Sequence, residues 1–260
     1  MTRVLSGAAL LALVVAVIWL LPPLATVGVA GVALAVAVAE YAALARAAGV
    51  DVARVPAVVA ALGAAAAVVF EPGWLAGVLL TALLLIGGAE LVRGTNDGAL
   101  NRAAGAAFAA LYLALPFGAL ADLRLDGGPE VLSLLLVTVI ASDTAQYYGG
   151  RALGRRLLAP AISPGKTVEG AVFGIAAGTL VLGLDPAGWL PELAPAGRLL
   201  LGAGVAVAGI AGDLFESRLK RASGVKDSSA LIPGHGGLLD RVDGLLFAAP
   251  LYWIAMSLAA

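Results

Sequence analysis

Nine stretches of this chain run for about 16–22 residues with almost only apolar side chains, and charge enters them only at or near their ends. A helix that crosses a bilayer needs about 20 such residues. The expected spans are therefore Val4–Leu21, Leu24–Ala45, Val55–Phe70, Gly73–Val92, Ala103–Ala121, Val131–Tyr148, Val168–Leu184, Leu199–Leu214 and Gly244–Ala259. Between them, Pro22-Pro23, Glu71-Pro72-Gly73, Asp126-Gly127-Gly128-Pro129 and Asp185-Pro186 put residues that cannot continue a helix where the pattern needs a turn. The third and seventh spans are short and are candidates for tilted or re-entrant segments. The opening residues read as an uncleaved first helix and not as a signal peptide.

Composition closes the alternatives. Hydrophobic residues make up 61% of the chain and charged ones 13%, against about 45–50% and 25% in soluble domains, which excludes a water-soluble globule or a disordered chain. With no cysteine there is no disulfide framework, no thiolate nucleophile and no cysteine-held zinc or iron–sulfur centre. The formal net charge is only -1, and no nucleic-acid partner is expected. Basic residues give orientation, because short cytoplasmic loops collect Arg and Lys. With the N-terminus inside, every basic residue except Arg124 and Arg198 falls on the cytoplasmic side.

The expected fold is thus all-α: a polytopic bundle of about nine transmembrane helices, N-terminus cytoplasmic, C-terminus outside. Residues 1–121 form scaffold helices whose small side chains suit close packing and allow a homodimer. Residues 122–260 form a region with cytoplasmic loops at 149–167 and 215–243. Glu40, Glu90 and Arg93 lie near span ends and read as interface residues.

Three stretches of the second half carry polar residues that an apolar bundle does not need. In Ser142-Asp143-Thr144-Ala145-Gln146-Tyr147-Tyr148, Asp143 lies inside an apolar helix, where an unpaired carboxylate costs at least about 2.5–3.5 kcal/mol. It belongs either to a site or to a structural ion pair. Gly165-Lys166-Thr167 looks like the end of a P-loop, but the position of that motif's first Gly is Pro160, so the P-loop reading fails. What remains is a Gly-containing turn that brings Lys166 and two hydroxyls to a helix start, fit for an anion or simply a capped helix.

The third stretch runs from Gly209 to Asp243. Asp213, Glu216 or Ser217, and Lys220 recur at three- and four-residue steps, as on one face of a charged helix leaving the membrane. Lys226-Asp227, the single histidine His235 among glycines, and Asp240-Arg241-Val242-Asp243 follow. Asp240 and Asp243 would share a face if the ninth helix begins there. With Asp213 they make an all-oxygen donor set suited to Mg²⁺. His235 reads equally as a phosphate donor or as a structural residue.

From Ser217 to Asp243 the sequence is S-R-L-K-R-A-S-G-V-K-D-S-S-A-L-I-P-G-H-G-G-L-L-D-R-V-D. It resembles the signature of the phosphatidate cytidylyltransferases, also called CDP-diacylglycerol synthases, with no departure over these 27 residues. Ser142-Asp143-Thr144 with Tyr147 and Gly150, and Ser163-Pro164 with Lys166-Thr167 and Glu169-Gly170, resemble two further family segments. The resemblance implies transfer of a cytidylyl group from CTP to phosphatidate, giving CDP-diacylglycerol and pyrophosphate. It implies an integral protein of the bacterial inner membrane with its active site on the cytoplasmic side.

It also implies a site made of Asp143, Lys166, Asp213, Ser217, Lys220, Arg221, Lys226, Asp227, His235, Asp240, Arg241 and Asp243. Within it, Asp213, Asp240 and Asp243 would hold Mg²⁺, with room for a second cation, while Lys166, Lys220, Arg221, Lys226, His235 and Arg241 would meet phosphates. The phosphate monoester needs no strong general base, since its second pKa is about 6–7 by analogy with phosphorylated side chains. The obstacle is repulsion between polyanions, which cations relieve. A CDP-alcohol phosphotransferase is excluded because Asp213 is followed by Leu214 instead of Gly. A CTP-dependent lipid kinase fits similar residues, and a secondary transporter would show an inverted repeat that is not visible.

Overall fold

The computed structural model describes residues 2–190 and 192–259. Its helices are α1 (Thr2–Leu20), α2 (Pro23–Ala47), α3 (Arg54–Phe70), α4 (Leu75–Arg93), α5 (Ala99–Leu125), α6 (Gly128–Leu153), α7 (Val168–Leu184), α8 (Pro195–Ala222), α9 (Leu239–Val242) and α10 (Leu245–Ala259). A 3₁₀ turn at Pro72–Trp74 leads into α4. Each expected span has its helix. Five of them, ending at Ala47, Arg93, Leu125, Leu153 and Ala222, are long and apolar enough to cross a membrane, and four shorter apolar helices accompany them. A helix meets its own backbone hydrogen bonds, which is why lipid selects it. The chain is a helical membrane protein.

Two features depart from the all-α expectation. Between α6 and α7, β1 (Leu157–Ala159) pairs antiparallel with β2 (Ser163–Thr167), Leu157 opposite Thr167 and Ala159 opposite Ser163. The turn is closed by Ile162 N–H on the Ala159 carbonyl at 3.1 Å. Pro164 is tolerated because a two-stranded ribbon has only edge strands. The ninth helix, moreover, does not run continuously from Asp240: α9 stops at Val242, and α10 starts only at Leu245. Asp243 lies in the turn between them, so it does not share a helix face with Asp240.

The chain forms two compact units, Met1–Asp126 with Leu219–Arg241, and Gly127–Arg218 with Val242–Ala260. In the first unit, α3 packs on α2, α4 and α5 through a buried alanine line, Ala57, Ala60, Ala61, Ala64 and Ala67. Small side chains let helices approach where lipid gives no hydrophobic drive between them. Arg124, buried in the last turn of α5, ties down the end of α1: its guanidinium donates to the carbonyls of Ile18 (2.8 Å) and Leu21 (3.3 Å). Those are carbonyls that the helix itself leaves unpaired.

In the second unit, α6 and α7 lie side by side along Gly170, Gly174 and Gly178. A Cβ at Gly170 would stand 2.6 Å from the Gln146 carbonyl oxygen, and one at Gly174 2.9 Å from that of Ser142. On the other side, a Cβ at Gly202 of α8 would stand 2.8 Å from the Gly178 carbonyl oxygen. Asp185 ends α7 in the left-handed region at φ 38°, and its carboxylate accepts from Trp189 N–H, Leu190 N–H and Arg198 at 2.9, 2.8 and 3.1 Å. These bonds hold the turn leading to α8. Burial pulls the Asp185 carboxyl upward, but the Leu190, Trp189 and Arg198 bonds outweigh it and leave it below the ordinary range.

Candidate active site

In the second unit the polar groups gather around α8. Asp213 is ion-paired with Lys166, and Ser217, one turn on, donates from Oγ to the second Asp213 oxygen at 3.3 Å. The hairpin delivers Lys166: β2 carries it, and Thr167, the N-cap of α7, accepts Gly170 N–H at 3.1 Å. Glu169 in the first turn of α7 accepts the N–H groups of Arg155 and Arg156 at 3.0 and 3.1 Å, fixing the approach to β1. A carboxylate is well placed at the positive end of a helix.

Asp143 of α6 lies within electrostatic reach of Asp213 and Lys166. Asp243 reaches Asp213, Glu216 and Asp143. Gly212 allows this approach, since a Cβ there would stand 2.5 Å from the Asp243 carbonyl oxygen. Burial above all, then the Asp213 and Glu216 carboxylates, push the Asp243 carboxyl well above the usual range; the Gly244 N–H, donated at 2.8 Å, offsets this only in part. Asp243 thus senses three other acids of this unit, Asp143, Asp213 and Glu216, while Lys166 pairs with Asp213 and acts on Asp143. On the same stretch of α6, the Ser142 hydroxyl and Gln146 amide nitrogen are buried with no hydrogen-bond partner.

In the first unit, Asp240 anchors the loop that follows α8. Its Oδ1 accepts from Lys220 Nζ at 2.6 Å. Its Oδ2 accepts from Ser228 N–H (2.8 Å), Ser228 Oγ (2.8 Å) and Gly237 N–H (2.7 Å). Burial raises the Asp240 carboxyl, but Lys220, Gly237 and Ser228 together outweigh it and hold it below the ordinary range. His235 takes part in a 2.9 Å hydrogen bond between its Nδ1 and Ser6 Oγ of α1. Arg221 donates to the Val225 carbonyl at 3.0 Å. Lys226, Asp227 and Arg241 are exposed.

Seven of the twelve expected residues fall into two sets, while Arg221, Lys226, Asp227, His235 and Arg241 belong to the first unit outside them. Asp143, Lys166, Asp213, Ser217 and Asp243 come together in the second unit, and Lys220 joins Asp240 in the first. Among the described residues, no three acidic or histidine side chains stand close enough to form a ready-made metal group. Both Asp240 oxygens accept hydrogen bonds in this structure, Oδ1 from Lys220 and Oδ2 from loop donors. Lys220, buried against Asp240, is likewise engaged in holding the loop.

Glu40, expected among the interface residues, binds the loop that follows α8. It is buried and accepts from Ser229 Oγ (2.6 Å), Leu238 N–H (3.0 Å) and Leu239 N–H (2.8 Å), with Ser228 Oγ at 3.2 Å. The signal was present: Glu40 is an acid inside an apolar run, the feature that singled out Asp143. Glu90 is also engaged, at 2.7 Å from Arg102.

The fold is that of a helical membrane protein, with acids and bases gathered within each unit. The chain belongs to the cytidylyltransferase family, whose model matches residues 1–259. It is 43% identical over 192 residues to the phosphatidate cytidylyltransferase of Brucella suis biovar 1 (strain 1330), covering 68% of this chain and 66% of that one. The protein of the same name from Helicobacter pylori (strain J99) is 40% identical over 144 residues, 54% of this chain and 52% of its own. YnbB of Escherichia coli (strain K12) is 41% identical over 130 residues, 50% of this chain and 43% of its own. The matched stretches thus span from 43% to 66% of the length of these curated relatives.

Proposed function

We propose that this protein transfers the cytidylyl group of CTP to phosphatidate. A phosphate oxygen of phosphatidate attacks the α-phosphorus of CTP, a P–O–P bond forms, the α–β bond breaks, and pyrophosphate leaves with the electron pair. The observation that carries the reading is the Lys166–Asp213 pair with the carboxylates of Asp143 and Asp243 within electrostatic reach of Asp213. Carboxylates gathered beside a lysine suit a divalent cation with its phosphates, and the relatives named phosphatidate cytidylyltransferase support the choice of acceptor.

The donor chemistry fits Mg²⁺, which is usually bound by one or two carboxylates plus substrate phosphates and not by an all-protein cage. In this proposal Asp213 and Asp243 are the ligands, and Asp240 keeps its loop. A bound Mg²⁺ would supply charge neutralisation to the triphosphate. Lys166 turns from Asp213 to an incoming phosphate, and Ser217 holds the Asp213 carboxylate in place. The exposed cations Lys226 and Arg241 attract anions to the surface of the first unit. No residue needs to serve as nucleophile.

The protein is proposed to span an inner membrane nine times with its N-terminus and the 226–240 loop in the cytoplasm. Since the chain lacks cysteine, single cysteines at Lys226 and Arg198 test this directly: a membrane-impermeant thiol reagent added outside should label only the second. For the reaction, CTP labelled in its α-phosphate is incubated with phosphatidate and purified protein, with and without Mg²⁺. Label entering lipid only with metal is the expected result. Lipid labelled from γ-phosphate instead would make the protein a CTP-dependent lipid kinase.

A further inference from the structure

We propose that Glu40 is a positioning residue for the transfer reaction, a buried clamp in α2 that sets the shape of the loop between Lys226 and Asp240. The proposal rests on the cytidylyl-transfer reading. Each Glu40 oxygen holds one backbone N–H and one hydroxyl of the loop: Oε1 takes Leu238 N–H at 3.0 Å and Ser229 Oγ at 2.6 Å, and Oε2 takes Leu239 N–H at 2.8 Å and Ser228 Oγ at 3.2 Å. A carboxylate offers acceptors, and here two backbone N–H groups and the Ser229 hydroxyl converge on it, with the Ser228 hydroxyl shared with Asp240.

Ser228 has one hydroxyl proton for two carboxylates, and Asp240 Oδ2 is the nearer at 2.8 Å. The hydroxyl thus links Glu40 to Asp240, whose other oxygen takes Lys220. Gly237 is where this closes. A Cβ there would stand 2.5 and 2.6 Å from the two Glu40 oxygens, so the carboxylate occupies the space that any side chain at 237 would need. Gly236, at φ 79°, makes the turn that brings its neighbour in. The glycines of the loop therefore serve an acid nearly two hundred residues away in sequence. Neither Glu40 nor Asp240 reaches the loop's surface, where Lys226 and Arg241 are exposed, so the clamp acts through the residues it positions.

The test compares wild type, Glu40→Gln and Ser229→Ala in the full chain in detergent. It measures transfer of α-labelled CTP into lipid and amide hydrogen exchange. Glutamine keeps the size but turns two of the acceptor positions into donors that face loop donors. Expected for Glu40→Gln are a fall in kcat of about 10²-fold, the scale of a misplaced group, with a CTP KM within about threefold of wild type. Exchange should rise at Leu238 and Leu239 and stay unchanged in α3. Ser229→Ala, which removes one donor and leaves the carboxylate, should show the same pattern at about a tenth of the size, and it carries the test if Glu40→Gln does not fold. Unchanged exchange in the loop overturns the proposal, as does raised exchange with unchanged kcat. Wild type that transfers no label overturns the transfer reading and this proposal with it. A failed clamp instead leaves wild-type transfer intact and shows only in the variants.

Discussion

In the first unit the carboxylates of Glu40 and Asp240 meet hydroxyls, backbone N–H groups and one lysine, and every oxygen is engaged. In the second, Asp143, Asp213, Glu216 and Asp243 lie within electrostatic reach of one another or of Lys166. The same side-chain chemistry thus does opposite work. Donors arranged around a single acid lower the free energy of the folded loop. Acids gathered near one another raise it, and the proposed divalent cation would relieve that repulsion. Buried polar groups kept at such a cost are the ones function requires.

The sharpest way to break this contrast is Asp213→Asn. It should lower transfer by about 10²–10³-fold, the scale for removing a group that stabilises developing charge, with the thermal midpoint nearly unchanged. If turnover at saturating Mg²⁺ stayed at the wild-type level, the assignment of Asp213 to the cation would be wrong. Asp240→Asn should do the reverse in kind, costing about 3–5 kcal/mol of stability by breaking its buried ion pair with Lys220, as read from detergent unfolding.

Acid and base should separate the units further. The Asp240 carboxyl is lowered in the fold, so its contribution is complete above the ordinary aspartate value and is lost as pH falls through the lowered one. Asp243 is raised, so stability falls as pH climbs from the ordinary value to the raised one. Unfolding measured against pH in EDTA should therefore lose its acid-side slope in Asp240→Asn and its slope above the ordinary aspartate value in Asp243→Asn. An Asp243→Asn curve that matches wild type would refute the crowding.

Smaller effects test the scaffolds. Gly170→Ala places a methyl 2.6 Å from the Gln146 carbonyl oxygen and should cost about 1–3 kcal/mol by forcing α6 and α7 apart. Gly165→Ala, with nothing within 4 Å of the new carbon, should change stability by no more than about 0.5 kcal/mol. A Gly165 effect as large as that at Gly170 would mean that the hairpin packs differently from the structure.

The helices were legible because each is coded locally. Pro22-Pro23 and Asp185-Pro186 fall at observed breaks, and the charged extension of α8 past Asp213 was readable from its three- and four-residue spacing. The hairpin was not legible, since three residues of β1 carry no alternation to read. Nor was the interruption between α9 and α10, where a turn holds Asp243 in place of the continuous face expected from i and i+3 spacing.

Residue membership of the site followed the same divide. Motif spacing brought Lys166, Asp213, Asp240 and Asp243 to notice, and the structure then gave Asp240 to the loop and Asp213 to Lys166. Glu40 was visible only as an isolated acid, because its partners, Ser228, Ser229, Leu238 and Leu239, lie 188 to 199 residues away along the chain.

What the sequence determined by itself is the membrane, the helices and the kinds of group available for phosphate chemistry, because hydrophobic length and composition act within a single segment. Which carboxylate is satisfied and which is left in a crowd was decided by tertiary structure alone. Hydrogen bonding and charge depend on what stands within a few ångströms, and in this chain those neighbours come from distant segments.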